Sequence, residues 1–168
     1  MPQGPAARIT DNVMHPLPPV LTPGPGSMNV LIGFLPAWRG MPLAAAAALQ
    51  AAKTAADTAV NAAVAASISA AASPPPFPAV AYAVEQAVKA SVLASMSSTI
   101  MSAAAGADIH TCATPSAVPP HGPGVVINGS ATVQVNFLPL ARMGDTIIEA
   151  LGPPNTIAKG ETTVIVGG

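Results

Sequence analysis

The chain has 168 residues and a formal net charge of −1, with charged residues at 8%, aromatics at 3% and 20 prolines. This length suits one domain or one domain with an insertion, and so few aromatics exclude a large aromatic core, leaving a metal, a tight β topology or a partner to supply stability. The charge gives no electrostatic reason to expect nucleic acid or an acidic membrane surface as partner, and a single cysteine excludes an internal disulfide framework.

In chain order, Met1-Pro2-Gln3-Gly4-Pro5-Ala6-Ala7-Arg8 lacks the charged-then-apolar pattern of a secretory signal. Residues 1–40 are rich in Pro and Gly. Pro16, Pro18, Pro19, Pro23 and Pro25 forbid a helix and favour extended or turn geometry. The short β-branched run Asn29-Val30-Leu31-Ile32, bounded by Gly26-Ser27 and Gly33, reads as a strand. Composition then changes abruptly. Leu43 to Ser73 is dominated by Ala, the best helix former, and carries only Lys53 and Asp57 as charges. Ser73-Pro74-Pro75-Pro76-Phe77-Pro78 must break that helix. A second helix is predicted from about Ala79 to Ala105, with Glu85 and Lys89 at i,i+4 spacing and Gly106 as its cap. Residues 108–168 return to the first style, with strands predicted at Ala131–Val135 and Thr162–Val166.

The two outer zones are related by an internal repeat: a Gly-Ser turn, a strand, a Pro-x-x-Arg turn and an Asp. Pro5-Ala6-Ala7-Arg8 leads to Asp11, and Pro139-Leu140-Ala141-Arg142 leads to Asp145 at the same spacing. Pro36-Ala37-Trp38-Arg39 lacks its Asp because Met41 follows Gly40. Deleting 41–106 restores the spacing, as Arg39-Gly40-Ala107-Asp108. The expected organisation is therefore a discontinuous β domain, 1–40 and 107–168, with a two-helix insertion at 41–106.

Chemistry concentrates between Asp108 and His121, which contains the one cysteine, Cys112, and two of the three histidines, His110 and His121; His15 is the third. Three imidazoles and one thiol make a tetrahedral zinc ligand set with none left over. His110-x-Cys112 places two ligands on one face of an extended segment. The loop Thr114–Pro120 can return His121, and Pro119-Pro120 stiffens its approach. The competing reading, unrelated surface histidines and a buried thiol, is weaker because the repeat aligns these residues. The acids Asp11, Asp108 and Asp145 read as turn caps that accept backbone N–H bonds, and the arginines as their partners. Four protein ligands would close the site, which favours a structural metal over a catalytic one.

The Pro-Ala-Ala-Arg turns, the Gly-Ser-x-Thr-Val strand and the Asp-x-His-x-Cys segment together resemble the PAAR-repeat proteins, over about residues 4–40 and 107–168. The resemblance implies a mainly β, three-sided cone that forms the zinc-bound tip of a type VI secretion spike or a related contractile injection machine. It places structural Zn2+ on His15, His110, Cys112 and His121. Its partner would be the blunt end of the trimeric valine–glycine-repeat spike. No catalytic residue and no enzymatic activity are expected, a small zinc hydrolase being the weaker alternative. The protein would reside in the bacterial cytoplasm before firing and leave through the apparatus without a signal peptide, with any effector carried in trans. Trp38 and Leu140 stand where the motif usually has Ala, and Asn136 where Gly is usual; these departures are expected to alter only surface or turn detail. Val125, Val126, Ile127, Val133, Val135, Val164 and Val166 are candidates for core or base-facing positions.

For the insertion, two readings stand. Gln50, Lys53, Asp57 and Asn61 share one side of the first helix, which suits a hairpin docked on the spike, a chaperone or a cargo protein. The uncharged stretch 90–107 has the length to span a bilayer, but Ser95, Ser97, Ser98, Thr99 and Ser102 make it a poor span, so membrane insertion is the second reading.

Overall fold

The computed structural model describes residues 3–14, 20–112 and 120–168; His15 and most of the loop before Pro120 lie outside them. Short strands β1 (Gly4–Ala6), β2 (Pro23–Gly24), β3 (Leu31–Ile32) and β4 (Leu35–Pro36) precede helices α1 (Leu43–Ala70) and α2 (Phe77–Ala103). The strands then resume as β5 (Ile109–Cys112), β6 (Gly122–Val126), β7 (Gln134–Val135), β8 (Leu138–Pro139), β9 (Thr146–Glu149), β10 (Asn155–Thr156) and β11 (Glu161–Val166). An antiparallel sheet runs in the order β10-β9-β6-β5-β2, and the pairs β1–β11, β3–β4 and β7–β8 stand apart from it.

The repeated turns meet in a closed ring. Ala7 N–H donates to the Ala141 carbonyl (2.9 Å), Ala141 N–H to Trp38 (3.0 Å), and Trp38 N–H back to Ala7 (2.9 Å). A second cycle runs the other way: Ile9 to Pro36 (3.0 Å), Gly40 to Pro139 (2.8 Å) and Met143 to Pro5 (2.8 Å). Backbone groups that proline-rich segments cannot satisfy in long ladders are thus satisfied between turns. The same Arg–Asp clasp closes each turn. The main-chain N–H of Arg8, Arg39 and Arg142 donates to Asp11, Asp108 and Asp145 at 2.8, 2.7 and 2.8 Å. Their Nη2 atoms lie 3.0, 2.8 and 3.1 Å from the same carboxylates. Asp108, 69 residues beyond Arg39, takes the place that Asp11 and Asp145 hold three residues after their arginines.

Trp38 and Leu140 are more than surface detail, contrary to the sequence expectation. Trp38 is fully buried and Leu140 is 3% exposed. Ala at the two positions equivalent to Trp38 leaves room for one indole, which packs with Ala7 and Ala141 in the central cluster beside Leu21, Ile147 and Ile157. Asn136 does belong to a turn. Gly33-Phe34 (φ 54° and 68°) and Asn136-Phe137 (φ 53° and 66°) form two-residue hairpin turns with both central residues left-handed. These turns shorten the predicted strands at 29–32 and 131–135 to two residues each. The third copy has no turn: β11 pairs with β1, Gly4 opposite Val166, so the two ends of the chain close the repeat.

Both helices form where Ala dominates. α2 starts at Phe77, two residues earlier than predicted, because Pro78 is tolerated in a first turn. It ends where Ala105 and Gly106 turn left-handed (φ 52° and 91°). Leu49 from α1 and Val92, Met96 and Ile100 from α2 pack against Val125 and Ile148 in one shared core. Full burial of such a side chain contributes about 1.5–3 kcal/mol. The body is therefore β, as expected, with helices of 28 and 27 residues laid against it. Among the described residues no helix is long and apolar enough to cross a membrane. Part of the polar side of α1 meets the β body, while Gln50 and Asn61 stay exposed. Lys53, 3% exposed, donates to the Gly152 carbonyl at 2.7 Å and pairs with Asp57.

Candidate metal centre

β5 leaves the Arg39–Asp108 clasp and carries His110 and Cys112 on one buried face, both 1% exposed, with Thr111 on the other. Its antiparallel partner β6 sets Cys112 opposite Gly122 and His110 opposite Gly124, so His121 enters beside Cys112 at the end of the ladder. On the far side of β6, Gly124 stands opposite Glu149 of β9. A Cβ on Gly124 would lie 2.9 Å from Glu149 Cγ. The bare Gly124 therefore lets the side chains of the two flanking strands meet across it.

Glu149 is fully buried and lies between the two imidazoles. Its Oε2 is 2.8 Å from His121 Nδ1, and its Oε1 is 3.5 Å from His110 Nε2. Asn155 Nδ2 donates to Oε1 at 3.5 Å. The His121 ring lies on Gly152, whose φ is +83°, and a Cβ there would come within 2.8 Å of Nε2. Gly152 is needed both for its left-handed backbone and for the space the ring occupies.

One ligand atom each from Cys112, His121 and Glu149 lies within 4.8 Å of the others. Around a tetrahedral ion with bonds of about 2.0–2.3 Å, neighbouring ligands are roughly 3.3–3.8 Å apart. A small contraction would therefore close these donors on zinc, and thiolate with imidazole is the donor chemistry zinc takes. Of the four predicted ligands, Cys112 and His121 come together here. His110 adjoins through Glu149, and His15 lies outside the described residues. Glu149 was missed by the sequence reading. Its signal was a lone carboxylate within Ile147-Ile148-Glu149-Ala150-Leu151, a run too apolar to leave a charge without a partner.

The helices support this centre. A Cβ on Gly122 would lie 2.7 Å from Leu93 Cδ1 of α2, and Lys53 of α1 holds Gly152. A cavity of about 460 Å³ lies between hairpin and β body, lined by Asp57, Asn61, Lys89, His121 and Pro153 among others. Through it the His121 side chain keeps 30% exposure.

Followed backward from the ring, β4 leads to the β3–β4 hairpin. Phe34 and Phe137 stand 95% and 94% exposed at the hairpin tips, with Met28 and Leu31 also exposed. Asn136 Nδ2 donates to Asn29 at 2.9 Å, and Asn136 is also 2.7 Å from the Ser27 hydroxyl, so the two hairpins are held side by side. Of the valines singled out above, Val125, Val126, Val135 and Val166 are buried with Ile127, whereas Val133 and Val164 are exposed.

In comparison with known protein families, residues 116–168 match the PAAR motif. That span holds His121, Glu149 and the Arg142–Asp145 clasp. No curated protein and no solved structure matches the chain.

Proposed function

We propose that this chain, whose residues 116–168 match the PAAR motif, is a PAAR-repeat protein that forms the zinc-stabilised tip of a type VI secretion spike. The observation that carries the reading is the cyclic threefold arrangement of the turns around Ala7, Trp38 and Ala141. A pseudo-threefold ring of turns offers a related surface to each subunit of a trimer, with two of the three positions carrying a hairpin. Its exposed Phe34 and Phe137, with Met28 and Leu31, supply apolar surface that calls for a covering partner. On this reading the hairpin end caps the trimeric valine–glycine-repeat spike. The Cys112–His121 end, with His110 and His15 completing the ligand set, forms the metal-pinned point that helps puncture and effector delivery.

The helical insertion, 41–106, interrupts one turn of the cone, and the Arg39–Asp108 clasp supports treating 1–40 and 107–168 as one domain. Lys53 is engaged by the β body, so docking of a chaperone, a cargo protein or the spike falls to the exposed residues of the hairpin, Val80, Tyr82 and Val84 among them. The role is mechanical, not enzymatic, in keeping with the structural character of PAAR proteins.

Co-purification with a trimeric spike tests the reading. The Phe34→Ser/Phe137→Ser double variant is expected to weaken capture at least tenfold, two desolvated aromatic anchors being worth roughly 2 kcal/mol or more. Its melting temperature should stay unchanged, because both side chains are already exposed. A spike that binds the double variant as well as the parent chain would overturn the assignment of this end.

A further inference from the structure

We infer that Glu149 is a positioning residue of the metal centre: its carboxylate accepts the Nδ1–H of His121, so that Nε2 is the atom presented to zinc. The inference rests on the zinc-tip reading and adds a residue outside its ligand set of His15, His110, Cys112 and His121. Three observations carry it. Glu149 is fully buried, at 0% accessible, and Gly124 keeps open the space its side chain uses. Its Oε2 lies 2.8 Å from His121 Nδ1, a distance that requires a proton between carboxylate and ring. Its other oxygen faces His110 Nε2 and Asn155 Nδ2, both at 3.5 Å. A proton fixed on Nδ1 leaves the lone pair on Nε2, the tautomer that binds a metal through Nε2. Metal-bound histidines commonly give their second N–H to such a carboxylate, which fixes the ring and raises its basicity.

The proximity of Cys112, His121 and Glu149 donors within 4.8 Å would also suit Glu149 as a direct ligand. The engagement of both its oxygens by neighbouring side chains favours the outer role, and the two roles separate experimentally. The full chain is loaded with zinc or cobalt(II), as the parent protein, Glu149→Gln and Glu149→Leu. Gln keeps an oxygen that can accept the Nδ1–H, whereas Leu cannot. The expected result is a parent-like cobalt(II) visible spectrum for Glu149→Gln. Zinc affinity, from competition with a chelator, should fall about 10–100-fold in Glu149→Leu and much less in Glu149→Gln. Long-range proton–nitrogen NMR of the zinc-loaded parent chain should report His121 bound through Nε2 with Nδ1 protonated, a readout that needs no variant to fold.

A changed ligand-field spectrum in Glu149→Gln would make Glu149 a ligand and overturn the inference. So would metal on His121 Nδ1, or equal affinity in all three proteins. A parent chain that takes up no zinc would overturn the zinc-tip reading along with it. Normal uptake with an indifferent Glu149 would overturn this inference alone.

Discussion

Asp108 is fully buried and accepts four hydrogen bonds: from Gly26 N at 2.9 Å, Arg39 N at 2.7 Å, Arg39 Nε at 3.0 Å and Arg39 Nη2 at 2.8 Å. The arginine is held fully charged, first by these hydrogen bonds to Asp108 and then by the attraction between the two charges. Removing one partner of such a pair leaves an uncompensated charge, at a cost of about 3–5 kcal/mol. Asp108→Ala should therefore lower unfolding free energy by about that much in urea titration, and a loss below about 1 kcal/mol would contradict the clasp. The clasp was legible in the sequence because the Arg-x-x-Asp spacing reappears once 41–106 is removed. Glu149 was not legible in the same way, since the pairing of β6 with β9 that brings it to His121 depends on strands 20 residues and more apart. Trp38 was misjudged for a related reason. Its spacing marks it as the third copy of an Ala, but only the convergence of three turns shows that two small neighbours make room for it.

At the scale of elements, the helices were predicted from Ala content and proline breaks, and both formed. What composition did not indicate was the surface they would cover. Lys53 was read as part of a polar side suited to docking on a partner, yet it donates to the carbonyl of Gly152, on which the His121 ring of the candidate metal centre lies. The strands predicted at 29–32 and 131–135 were overestimated because a two-residue turn follows so closely on each Gly-Ser corner, whereas that at Thr162–Val166 forms in full as Glu161–Val166. The β1–β11 closure carries a pH dependence of its own. Arg8 bridges Asp11 and Glu161 across it. The Glu161 carboxyl is held below the usual range, chiefly by the hydroxyl and amide of Thr163 and then by Arg8. Its contribution is present above the unfolded value of about 4.3 and is lost as pH falls through the lower folded value. Between pH 7 and about pH 3.5 the urea midpoint of the parent chain should fall more than that of Glu161→Gln. Because the group is partly solvated, added salt should shrink the difference. Equal pH slopes would remove Glu161 from the closure.

For the molecule as a whole, three clusters divide the stabilising work. One lies under the helices, one at the turn ring and one beneath the hairpin tips. The candidate metal centre borders the first of these, with Val125, Ile148, Ala150 and Leu151 packed beside the strands that carry Cys112, His121 and Glu149. Chelation of zinc, or Cys112→Ser, is expected to lower the melting temperature by about 10 °C, equivalent to a few kcal/mol in a chain of this size. Zinc should restore the parent chain and not the variant, and an apo protein as stable as the loaded one would refute a structural metal. The repeat, the interrupted turn, the helical zone and the thiol–imidazole inventory were determined by the sequence alone, because each depends on residue type at short or regular spacing. The partner of Glu149, the burial of Trp38, the inward face of α1 and the closure of the third repeat by the two chain ends were decided only by tertiary structure. Each of those arises where segments distant in the chain meet, and neither periodicity nor composition records which distant segments will touch.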